Sequence, residues 1–74
     1  MAAWVVNVLF EETDVEQVMD ALDPLAESYA GSADVAGSLH QSWRFPTKET
    51  AYAFAYAAAE VCQQATIIEP EEAD

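Results

Sequence analysis

The sequence predicts an α+β sandwich, with two helices on one face of a mainly antiparallel sheet of three or four strands. Three observations lead there. The chain opens on "AWVVNVLFE", rich in β-branched and aromatic residues. Two later segments repeat their apolar residues with a helical period. Extended segments lie between and after those helices, giving the order β-α-β(β)-α-β.

The first strand is expected over residues 3–11. Trp4, Val6, Val8 and Phe10 share one face, and Val5 and Leu9 flank Asn7 on the other. Both faces are largely apolar, which predicts a central strand. Thr13 and Glu16 then form a T-x-x-E capping box, so the first helix is expected to begin there. Val15, Val18, Met19, Leu22, Leu25, Ala26 and Tyr29 make its buried stripe. Pro24 removes one backbone donor and crowds the preceding turn. The stripe keeps its phase across Pro24, so one kinked helix is expected in preference to a new turn capped by Asp23. Gly31 is expected to end it.

"SADVAGSLHQSWRFP" reads as extended, with Leu39, Gln41, Trp43 and Phe45 alternating against His40, Ser42 and Arg44. Gly37 marks a bend or bulge between a short strand and a longer one. Thr47 caps the second helix, "KETAYAFAYAAAEVCQQ", whose stripe is Ala51, Phe54, Ala55, Ala58, Val61 and Cys62. "ATIIEP" gives a last short strand ended by Pro70. Residues 1–70 are thus expected to form one domain and residues 71–74 a frayed acidic tail. The element order is that of a ferredoxin-like sandwich, with its second strand either full or reduced.

At 74 residues the chain is one domain. A chain this short buries only roughly 60% of the surface its unfolded form exposes, so its margin of stability is thin. Hydrophobic residues at 53% suffice for a core. The apolar runs fall short of the roughly 20 residues a membrane span needs. The N-terminus carries no basic stretch of the kind that opens a signal peptide. A lone Cys62 permits no internal disulfide. These features lead to the expectation of a cytoplasmic protein.

Charge is the dominant compositional feature: fourteen acids against two bases, a net charge of −12. The bases, Arg44 and Lys48, fall in one five-residue stretch. Such a surface repels nucleic acid and anionic membranes and attracts basic protein surfaces. The expected partner is a basic protein or nucleoprotein complex, with no direct nucleic-acid binding and no membrane contact. A homodimer is compatible with the composition.

Motifs that carry catalysis or ligand binding are not found. One histidine (His40) and one cysteine (Cys62) make no zinc cluster. "EETDVEQ" lacks the register of a calcium loop, and no glycine-rich phosphate loop occurs. His40 reads as a surface residue and Cys62 as a core residue. The acids come with no companion base, nucleophile or oxyanion group, so no enzyme, metal or cofactor is expected. In "SWRFPTK", Trp43 and Phe45 read as core and Arg44 as solvent-facing or paired with an acid, although Trp and Arg are also frequent contact residues. Tyr52 and Tyr56, one turn apart, edge the core or an interface.

The candidate site is the outer row of the first helix: Glu16, Asp20, Asp23 and Glu27. At 3.6 residues per turn they fall in a narrow sector away from the apolar stripe. Like charges at these spacings cost about 0.2–0.5 kcal/mol each. No lysine in the row relieves that cost. The row advances about 6 Å per step, against about 3.4 Å per phosphate along one DNA strand. It is a line of negative charge and not a strict copy of a duplex.

In size and charge the chain resembles small phage-encoded inhibitors of bacterial defence, in particular anti-CRISPR proteins, several of which are acidic and mimic nucleic acid. That resemblance implies an inhibitor that occupies a basic, nucleic-acid-binding surface of a partner complex. The alternative is a ferredoxin-like regulatory or subunit-interface domain of a halophilic organism, whose acids serve solubility. Clustering of acids over residues 11–27 and 69–74 fits the alternative less well. A third class, an enzyme or small-ligand sensor using the open face of the sheet, has no polar constellation in the sequence to support it.

Overall fold

The computed structural model describes residues 3–73. Strand β1 (Ala3–Leu9) leads through a 3-10 turn (Glu12–Asp14) into helix α1 (Val15–Ser28). Strands β2 (Ser32–Ala36) and β3 (His40–Phe45) follow, then helix α2 (Lys48–Val61) and the short strands β4 (Thr66–Ile67) and β5 (Glu71–Ala73). The five strands form one antiparallel sheet in the order β2-β3-β1-β4, with β5 also paired to β1. It is an α+β fold of the ferredoxin-like type.

Alternation along β1 and β3 sends Val6, Val8, Phe10, Trp43 and Phe45 to one face of the sheet. There they share a single core with Val18, Leu22 and Ala26 of α1 and Ala51, Phe54, Ala55 and Ala58 of α2. Both helices therefore cover the same face. Phe54 is its centre: its ring lies 4.9 Å from that of Phe45 and 5.5 Å from that of Trp43. The stripes fail only at their ends, where Val15 and Val61 are exposed.

Both helix ends of α1 differ from expectation. The capping box of Thr13 and Glu16 does not form. The 3-10 turn, closed by Asp14 N–H donating to Glu11 O at 2.9 Å, shifts the N-cap to Asp14, and no side chain caps the helix. Pro24 sits inside one continuous helix, so Asp23 caps no new turn. At the other end it is Ala30, not Gly31, that takes the left-handed conformation, at φ 63°. Ala30 N–H donates to Glu27 O and Gly31 N–H to Ala26 O, the paired bonds of a Schellman motif. Gly31 is needed for a different reason: a Cβ there would lie 2.3 Å from Cε2 of Phe45.

The extended segment around Gly37 is a hairpin of two full strands. β2 carries one extra residue between the Ala33–Trp43 and Ala36–Gln41 pairs. The bulge leaves Val35 without ladder bonds, and Ser42 replaces them. Its hydroxyl donates to Val35 O and accepts from Val35 N–H, both at 3.1 Å. This explains why Ser42 is buried.

The C-terminal residues correct the expectation of a frayed tail. Glu71–Ala73 pair with Val5–Ala3, continuing the edge that Thr66–Ile67 open against Leu9–Val8. One extra residue on this edge makes a second bulge, at Ile68–Pro70, where Pro70 has no N–H to give the ladder. Asp74 lies outside the described residues.

Candidate interaction surface

Helix α1 brings the four predicted site residues, Glu16, Asp20, Asp23 and Glu27, into one exposed row. Glu11, Glu12 and Asp14 precede them on the approach to the helix. Among the described residues none of these acids is in an ion pair. Among the described residues the only salt bridge is Arg44 to Asp34, at 3.5 Å on the opposite side of the sheet. The row is not uniform, however. Asp23 Oδ1 accepts a hydrogen bond from Nε1 of the buried Trp43 at 3.2 Å. Asp23 thus holds an indole N–H that would otherwise lack a partner, while Glu16, Asp20 and Glu27 make no side-chain hydrogen bond among the described residues.

The second base is also engaged. Lys48 Nζ stands 5.7 Å from the ring centroid of Trp4 and 5.8 Å from that of Tyr52. Tyr56 continues this aromatic flank of α2, its ring 6.3 Å from that of Tyr52. The Tyr52 hydroxyl donates to Glu69 Oε1 at 3.1 Å. That bond favours the neutral phenol and raises the Tyr52 pKa above its ordinary value, with desolvation and the charge of Glu69 adding to it.

The open face of the sheet carries a polar network whose members lie far apart in the sequence. Asn7, the one polar residue inside β1, donates from Nδ2 to Glu71 Oε1 at 3.3 Å and meets His40 Nε2 through Oδ1 at 2.8 Å. A carboxylate only accepts, so the Asn7 amide must face Glu71, and His40 Nε2 must carry the proton. The three residues satisfy one another. Side chains that could act as nucleophiles are committed elsewhere: Ser42, on the same face, bonds the Val35 backbone, and the Cys62 thiol is buried in the core under the helices, its pKa raised mainly by desolvation. Among the described residues no three His, Cys, Asp or Glu side chains are grouped to hold a metal ion, and no helix is long and apolar enough to cross a membrane.

Asn7 stands 33 residues from His40 and 64 from Glu71. The polar interruption of an apolar strand was the one signal that could have pointed to it. Comparison with known proteins found no matching family model, no similar curated protein and no similar solved structure.

Proposed function

We propose that the protein is an inhibitor that binds through its acids, occupying a basic, nucleic-acid-binding surface of a partner complex in the manner of the anti-CRISPR type. One observation carries the reading: a row of exposed carboxylates on α1 with no base beside it, in a chain of net charge −12. Acids that served only to decorate a stable surface would be expected to alternate with lysines, which relieve helix repulsion. A row of one sign instead steers a basic partner and speeds its association.

The test has two steps. The folded protein, immobilised at low salt, is exposed to a nuclease-treated bacterial lysate. Recovery of a complex that binds nucleic acid supports the reading. The Asp20→Asn/Asp23→Asn double variant is then expected to associate with that complex several-fold more slowly, with the difference shrinking as salt rises. Unfolding in dilute buffer, reversed only by molar salt, would overturn the reading in favour of a halophile domain.

A further inference from the structure

A groove of about 420 Å³ runs between α2 and the β4–β5 edge. Ala55 and Ala59, one turn apart on α2, lower its floor, and Ile67, Ile68 and Pro70 form the far wall. Tyr56 and Glu69 stand at its rim. We infer that this groove receives one arginine side chain presented by the partner protein. The inference rests on the reading that the partner is basic.

Four observations select that occupant. The floor and wall are apolar, which suits the methylene stem of a long side chain. The rim ends in a carboxylate held in place, because Glu69 Oε1 accepts from the Tyr52 hydroxyl, while Oε2 has no hydrogen-bond partner among the described residues. Tyr56 is 70% exposed, so its ring face is open to a cation. The same flank already holds a cation one turn earlier, where Lys48 lies over Trp4 and Tyr52. Arginine suits this combination better than lysine. Its planar guanidinium can stack on Tyr56 while bonding the Glu69 carboxylate.

The experiment is an NMR titration of the isotope-labelled full chain with N-acetyl-arginine amide, and separately with the capped citrulline that has the same shape and no charge. Saturable shifts confined to Ala55, Tyr56, Ala59, Ile67, Ile68 and Glu69, seen with arginine and not with citrulline, are expected. Tyr56→Ala and Glu69→Gln should each weaken binding by about 2- to 5-fold. Glu49→Gln, which removes one charge at the other end of α2, should leave it unchanged. Equal shifts from citrulline, shifts spread over the acids of α1, or unaltered affinity in both groove variants would overturn the inference. The two readings fail separately. Arginine bound in the groove with no basic complex recovered from lysate upholds the groove and overturns the inhibitor. A recovered complex with no arginine bound in the groove does the reverse.

Discussion

Helices α1 and α2 are both fourteen residues long and lie on the same face of the sheet, but they are stabilised in different ways. α2 starts on a reciprocal cap. Thr47 Oγ1 accepts from Thr50 N–H at 3.2 Å, and Thr50 Oγ1 accepts from Thr47 N–H at 3.4 Å. Its outer flank is aromatic and carries a lysine. α1 starts with no side-chain cap, runs through Pro24, and lines its outer face with like charges. Local chemistry favours α2, whereas α1 depends on the core to hold it. A helix whose fold is secured by packing is free to present a surface that local energetics disfavour, and that is where the acids sit.

The largest effect should come from removing that packing. Leu22 is fully buried at the middle of the α1 stripe. Leu22→Ala is expected to destabilise the protein by about 2–5 kcal/mol in a chemical melt. A change under about 0.5 kcal/mol would show that α1 does not depend on its core contacts.

A smaller effect separates the two roles of Asp23. Asp23→Ala removes both the charge and the acceptor of the Trp43 indole, leaving a buried N–H without its partner, at a cost of about 1–3 kcal/mol. Asp23→Asn keeps an oxygen in place and relieves repulsion along the row, so its stability should stay within about 0.5 kcal/mol of the parent. Equal melting curves for the two variants would show that the indole bond contributes nothing and that Asp23 belongs to the surface alone.

The elements legible in the sequence were those fixed by local pattern. Alternation in β1, the period of Leu22 and Phe54 in their helices, and the cap at Thr47 each depend on residues a few positions apart. The rest depends on how one element joins the next and on contacts across the chain. Thr13 looked like a cap, but the approach from β1 tightened into a 3-10 turn and moved the boundary to Asp14. Gly31 looked like the left-handed residue, but the ring of Phe45 claimed its missing Cβ and left Ala30 to turn the chain. Pro70 looked like an end and is a bulge, because β1 offers an edge long enough for pairing to resume at Glu71. Of the candidate row, exposure and spacing were legible; the bond from Trp43 to Asp23 was not, since twenty residues and a strand separate them.

The smallest expected effect tests the contrast between the two helix starts directly. Thr47→Ala deletes a hydroxyl that satisfies an otherwise orphan N–H of the first turn, and caps of this kind are worth about 0.5–2 kcal/mol. The matching change in the other helix, Thr13→Ala, removes a hydroxyl that caps nothing, so it should shift stability by no more than about 0.5 kcal/mol. The pair is informative because both threonines are exposed and both truncations delete the same atoms. Burial and side-chain size therefore cancel, and the difference isolates the hydrogen bonds. Parallel urea melts of the two variants provide the measurement, with an unchanged slope as the check that the unfolded state is the same. A loss at Thr13 as large as that at Thr47 would mean that the T-x-x-E box of α1 forms in solution. α1 would then be secured locally like its neighbour, and its dependence on the core for carrying the acidic row would be withdrawn.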